Sequence, residues 1–190
     1  MSIIDEILEY NKKFVGNKQY EPYLSVKYPN KKIAALTCMD TRLTELLPAA
    51  MNFKNGEVII IKNAGALITH PFGSVMRSLL IAIYELGVEK IMVIGHYNCG
   101  MQGIEPSKLI QKMLVRNIGK EKINMINCCG IDIEKWLKGF DDVKESVLKT
   151  VGVIKNHPLI PKDVEIYGFI IDPETGKLDM LEIEKNQTGE

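Results

Sequence analysis

The sequence predicts an α/β fold: a mostly parallel sheet flanked by helices, with an antiparallel edge strand towards the C-terminus. Three observations carry this expectation. Residues 33–37, 58–61, 91–95 and 164–171 are apolar runs with little polar alternation, the pattern of strands covered on both faces, and such strands belong to parallel sheets. Between the second and third runs lies a helical stripe of Val75, Leu79, Leu80, Ala82, Ile83 and Leu86, which makes a strand–helix–strand unit. The turn Asp172-Pro173-Glu174-Thr175-Gly176 then precedes residues 178–183, which read as the returning arm of a hairpin.

In chain order, Ile3, Ile7, Leu8, Tyr10 and Phe14 recur at helical spacing among charged residues and predict an amphipathic helix ending near Gly16. Residues 17–30, with Pro22, Pro29 and several aromatics, read as an irregular arm that packs on its own subunit or reaches to a partner. Ser74 is the expected N-cap of the central helix and Gly87 its stop. Pro106-Ser107 opens a helix expected to run to Ile118, a short one is expected over 131–137, and Val143, Val147, Leu148, Val151 and Ile154 mark another before Pro158. No repeat or linker interrupts the chain. The economical reading is one α/β domain over 1–190, with an N-terminal helix and arm in residues 1–30.

At 190 residues the chain can bury roughly 70 % of the surface its unfolded form exposes, so no disulfide framework is needed. Twenty-four basic and 24 acidic side chains leave no net charge, and nothing favours nucleic acid or a membrane surface. The N-terminus is acidic where an export signal would be basic, and no apolar run is long enough to span a bilayer. A cytoplasmic protein is expected, with its four cysteines reduced and available as ligands.

Two short motifs carry the chemistry. Cys38-Met39-Asp40-Thr41-Arg42 follows the first strand, and His96-Tyr97-Asn98-Cys99-Gly100 follows the third. Carboxyl ends of strands are where open α/β sheets bind ligands. If the first and third strands are neighbours, Cys38, His96 and Cys99 converge as two thiols and an imidazole. That is a three-ligand zinc set, and catalytic zinc sites keep a fourth position for water or substrate. His96-x-x-Cys99 suits one tight turn, with Gly95 and Gly100 expected to let the backbone bend.

Asp40 can approach the metal as a conditional fourth ligand, or turn away to pair with Arg42. A carboxylate held by a guanidinium stays ionised and can accept a hydrogen bond from the nucleophile, so Asp40 and Arg42 are the catalytic candidates. Gly65, with Ala66 beside it, ends the second strand at the same edge and is expected to let backbone approach a small ligand. No Gly-Lys-Ser/Thr follows the glycines of residues 95–103, so a phosphate-binding loop is not supported.

With these residues in view, the chain resembles the β-class carbonic anhydrases, most of all their short prokaryotic subgroup. The resemblance rests on Leu36-Thr37-Cys38-Met39-Asp40-Thr41-Arg42, Lys62-Asn63-Ala64-Gly65, Glu85-Leu86-Gly87, Gly95-His96-Tyr97-Asn98-Cys99-Gly100-Met101 and the stretch 164–176. It implies one zinc ion per subunit held by Cys38, His96 and Cys99, with Asp40 and Arg42 as gating and orienting pair. It implies reversible hydration of carbon dioxide to bicarbonate by a zinc-bound hydroxide, on a homodimer or dimer-based oligomer. In that family the counterpart of Asp40 coordinates zinc in closed forms and releases it in open ones. Relatives with the same ligands hydrolyse carbonyl sulfide or carbon disulfide, which is the alternative activity. A zinc-binding module without catalysis and a nucleotide-binding α/β module are the non-enzymatic readings. Ala66 stands where many members have a second glycine.

His70 is read as a turn histidine, with proton shuttling the sharper alternative. His157 is read as structural or exposed, and Cys128-Cys129 as reduced thiols packed under a helix, with redox sensing the alternative.

Overall fold

A computed structural model describes residues 1–182. Strands β1 (Ile33–Cys38), β2 (Val58–Asn63), β3 (Lys90–His96), β4 (Glu165–Ile171) and β5 (Leu178–Leu181) form one sheet in the order β2-β1-β3-β4-β5. All neighbours run parallel except β4 and β5. The fold class is the one the apolar runs predict. Ile183, the last residue expected in β5, lies outside the described residues.

The helices are α1 (Ile3–Gly16), α2 (Leu43–Ala50), α3 (Ser74–Tyr84), α4 (Pro106–Val115), α5 (Lys120–Cys128), α6 (Ile133–Leu137) and α7 (Val143–Lys155). On one face of the sheet, Met76, Leu79 and Ala82 of α3 and Val143, Val147, Val151 and Ile154 of α7 cover Ala34, Ile91, Val93 and Ile170. On the other, Leu43 and Leu47 of α2 pack with Ala35, Met92, Ile94 and Ile171, and Cys38 and Cys99 belong to this second cluster. The metal-binding candidates therefore sit at the margin of a dry core. No helix among the described residues is long and apolar enough to cross a membrane.

Several expectations need correction. The edge strand β2 is only half-buried, with Ile60 exposed, because it has a neighbour on one side only. Gly73, not Ser74, is the N-cap of α3, and Ser74 is its first helical residue. The helix opened by Pro106 stops at Val115, since Asn117 takes a left-handed conformation (φ +64°). Its N–H then donates to Leu114 O and that of Ile118 to Met113 O, which closes the helix end. The chain restarts as α5, which no strong periodicity announces. The short helix α2 is also unannounced, because Pro48 reads as a breaker while buried Leu43 and Leu47 hold it in place. The residues 17–30 arm contains a single 3-10 turn, Glu21–Tyr23.

Glycine at position 95 serves packing, not bending: a Cβ there would meet Val147 Cγ2 at 2.7 Å and Val143 Cγ2 at 2.9 Å, so its absence lets α7 lie flat on β3. Gly95→Ala should overpack this contact at a cost of about 1–3 kcal/mol, lowering the melting temperature by roughly 2–12 °C. A calorimetric melt checks this; an unchanged melting temperature would mean that α7 is free to lift.

Candidate metal centre

Chain order reverses between β1 and β3: from β1 the chain moves outward to β2, then returns to the other side of β1 as β3. At such a switch point the loops diverge and leave a crevice at the strands' carboxyl ends. Thr37 lies beside Ile94 in the β1–β3 register, so Cys38 and His96 leave the sheet side by side. Thr37 Oγ donates to Ile94 O at 3.2 Å and reinforces the pairing just beneath them. The turn after β3 then brings Cys99 back.

Cys38 Sγ lies 3.8 Å from Cys99 Sγ, and with a ring nitrogen of His96 the three ligand atoms fall within 4.8 Å of one another. Two sulfurs bound at about 2.3 Å to one tetrahedral ion would be about 3.8 Å apart, so the spacing fits zinc. All three residues are buried. Nδ1 of His96 lies 2.8 Å from Tyr97 O, and because a carbonyl only accepts, Nδ1 carries the proton. Nε2 is left with its lone pair, fully buried and without a hydrogen-bond partner. A buried polar atom without a partner is costly, and a metal ion is the partner this donor set suits.

Backbone amides attend both sulfurs: Gly65 N–H donates to Cys38 Sγ and Met101 N–H to Cys99 Sγ, each at 3.4 Å. The two thiols hold protons unequally. The first is lost easily, because Cys99 donates to the Cys38 thiolate, with His96 and the Gly65 amide adding support against the opposing effect of burial. The second is held tightly by the adjacent Cys38 thiolate and by burial. A divalent cation would relieve that conflict. For His96, burial disfavours the imidazolium, but Cys38, Tyr97 O and Asp40 outweigh it and raise its pKa in the metal-free site.

Asp40 is paired with Arg42 in a fork: Nε donates to Oδ1 at 3.0 Å and Nη2 to Oδ2 at 2.8 Å. The Arg42 amide adds a bond to Oδ1 at 3.0 Å. Oδ2 stands 3.8 Å from His96 Nε2, beyond hydrogen-bond length. Arg42 Nη2 also donates to Asn98 O at 2.9 Å, which ties the first motif to the second. The guanidinium's hydrogen bonds hold the Asp40 carboxyl down at about 2 against partial burial.

Gly65 and Ala66 are buried beside Cys38, both with positive φ (+82° and +56°). A Cβ on Gly65 would meet Met101 and Phe140 at 3.1–3.2 Å, so the space beside its α-carbon is filled by protein. His70 lies in an exposed turn, its Nδ1 accepting from Phe72 N–H at 3.0 Å. His157 is buried, accepts from Leu159 N–H and lies 5.0 Å from the Phe72 ring. Cys128 and Cys129 are exposed rather than packed under a helix, since α5 ends there. A groove of about 580 Å³ between α4, α5 and α6, floored by Ile110, Leu114, Ile123 and Ile133, contains none of the ligand residues. The groups that sequence reasoning missed are the carbonyls of Tyr97 and Asn98 and the amides of Gly65 and Met101. Backbone atoms carry no residue signature, and only the Asn between Tyr97 and Cys99 hinted at a tight turn.

Fold and site together define a class: a mostly parallel α/β protein whose switch point carries a Cys-His-Cys set that could hold a metal ion, beside an Asp–Arg fork. A family model described as "Carbonic anhydrase" matches residues 33–178. The chain is 52% identical over 181 residues to YtiB of Bacillus subtilis (strain 168), provisionally named a carbonic anhydrase, covering 95% of this chain and 97% of that one. It is 36% identical to the crystal structure of β-carbonic anhydrase isoform I of Trichomonas vaginalis, with a TM-score of 0.86 and coverage of 95% and 97%. A carbon disulfide hydrolase of Acidithiobacillus thiooxidans is 29% identical over 172 residues, covering 87% and 85%. The chain belongs to the β-carbonic anhydrase family.

The Asp40–Arg42 pair makes a pH prediction. Because the folded-state pKa of Asp40 is depressed from 3.8 to about 2, its contribution to stability is complete above the unfolded-state value and disappears as pH falls through the folded one. In urea unfolding of the metal-free protein, wild type should exceed Asp40→Asn in stability at about pH 7. The gap should shrink below about pH 4 and close near pH 2; a gap independent of pH would show that the ion pair contributes nothing.

Proposed function

We propose that this protein is a zinc enzyme that reversibly hydrates carbon dioxide to bicarbonate and a proton. The observation that carries the reading is the orphaned, buried Nε2 of His96 beside two thiols spaced for one tetrahedral ion. Cys38, His96 and Cys99 would hold the zinc, one ion per subunit. When bound, zinc makes water ionise near neutral pH, at about 7 in the carbonic anhydrases from which that figure comes, and so supplies a hydroxide nucleophile. Asp40, kept ionised by Arg42, accepts a hydrogen bond from the nucleophile and aims it at the carbon of carbon dioxide. Arg42 would hold Asp40 back from the metal, and Asp40, whose Oδ2 lies 3.8 Å from His96 Nε2, would serve as a conditional ligand if that pairing were released. Gly65, whose N–H donates to Cys38 Sγ, and Ala66 would line the substrate pocket on the side away from Met101 and Phe140, and the apolar residues packed with Cys38 and Cys99 would limit competing water.

The second reading, hydrolysis of carbonyl sulfide or carbon disulfide, is favoured by relatives named carbon disulfide hydrolases. Stopped-flow indicator assays on zinc-replete protein should show carbon dioxide hydration, abolished by Cys38→Ser or His96→Ala. Arg42→Ala should lower kcat/KM about 10- to 100-fold while zinc stays bound. Absence of hydration together with release of sulfide from either sulfur substrate would transfer the assignment to the second reading.

We also propose a homodimer or a dimer-based oligomer. Support comes from α1, an amphipathic helix that buries no residue although Ile3, Ile7, Leu8 and Tyr10 line it. A 14-residue helix is marginal alone, and a second copy of the chain offers a surface to cover it. Light scattering should give a dimer or its multiple for the full chain and a monomer once residues 1–30 are removed. A monomeric full chain would overturn this.

A further inference from the structure

We propose that Asn98 is a positioning residue whose backbone carbonyl, presented by a left-handed conformation, anchors Arg42 and thereby holds Asp40 away from the metal's fourth position. The inference rests on the assignment of Asp40 and Arg42 as a gate and adds what sets it. Arg42 Nη2 has two N–H groups: one bonds Asp40 Oδ2 at 2.8 Å and the other Asn98 O at 2.9 Å. The carbonyl thus fixes the outer end of the guanidinium, while the inner N–H groups grip the carboxylate. Without that anchor, Arg42, whose side chain is 40% exposed, has solvent on its outer side and no fixed position.

The conformation of residue 98 is what aims the carbonyl. Its φ is +55°, a region where Asn is the best tolerated residue after Gly and where a β-branched side chain is strongly disfavoured. The Asn98 side chain is exposed and, among the described residues, makes no hydrogen bond, so the requirement lies in the backbone. One turn therefore does two jobs through successive carbonyls: Tyr97 O orients the imidazole of His96, and Asn98 O orients Arg42. Neither glycine flanking this turn has positive φ, so the bend rests on Asn98.

The test separates backbone from side chain. Asn98→Gly keeps the left-handed conformation accessible, whereas Asn98→Val opposes it and Asn98→Ala opposes it more mildly. Each protein is loaded with cobalt(II) as a spectroscopic stand-in, and thiocyanate binding at the open position is followed by its visible absorption. Zinc affinity is measured in parallel by chelator competition. Asn98→Gly should bind thiocyanate like the wild type, and Asn98→Val about tenfold more weakly, with Asn98→Ala between them. All should retain one tightly bound zinc. If Asn98→Val does not fold, Asn98→Ala against Asn98→Gly gives the same comparison.

Equal binding in all variants would overturn the proposal, as would equal weakening in Gly and Val, which would place the role in the side chain. Loss of zinc from Asn98→Val would overturn it too, by making the turn a ligand-placing device only. Carbon dioxide hydration is scored separately: an inactive wild type with the expected thiocyanate order removes the activity assignment and leaves the anchor standing.

Discussion

Everything at the site depends on the parallel pairing of β1 with β3. Thr37 beside Ile94 fixes the register, and with it the relative height at which Cys38 and His96 emerge from the sheet. A slip of one residue would turn Cys38 to the opposite face, because side chains alternate along a strand. The two apolar clusters that clamp the sheet hold this register from both sides. The strand ends continue the ladder into the motifs: Met39 N–H donates to Asn63 O and Tyr97 N–H to Ile171 O. The candidate ligands Cys38 and His96 are thus placed by rigid elements, and only the short turn to Cys99 is local.

Charge explains why the site is built with a fork beside it. The hydrogen bond to the Cys38 sulfur and burial hold the proton on Cys99, and a divalent cation would be needed for both sulfurs to be thiolates. A further anion, Asp40, stands at the rim. Its carboxylate is committed to Arg42 by three hydrogen bonds. The Asn98 carbonyl adds a fourth polar contact to the same residue from the other motif.

Much of this was legible in sequence, for reasons that differ from residue to residue. Residues 33–37 and 91–95 read as buried strands because both faces are covered, and Cys38 and His96 were visible as strand-end residues for that reason. The run over residues 58–61 misled slightly: the same apolar pattern serves an edge strand with Ile60 exposed. Gly95 was visible as a glycine but not in its role, since the need for it comes from Val143 and Val147, far along the chain. The amides of Gly65 and Met101 and the carbonyls of Tyr97 and Asn98 were invisible, because every residue has such groups and only the fold selects which ones face a sulfur, an imidazole or a guanidinium. The helices α2 and α5 escaped because their stability comes from tertiary burial of few residues, Leu43 and Leu47 in one and Ile123 in the other.

The central claim is that Cys38, His96 and Cys99 together hold one zinc ion at the β1–β3 switch point. X-ray absorption at the zinc edge on the zinc-replete protein tests it most directly. The expected first shell has two sulfurs at about 2.3 Å and lighter ligands near 2.0 Å, including an imidazole signature, and Cys99→Ser should remove one sulfur. A shell without sulfur, or one unchanged by Cys99→Ser, would contradict it.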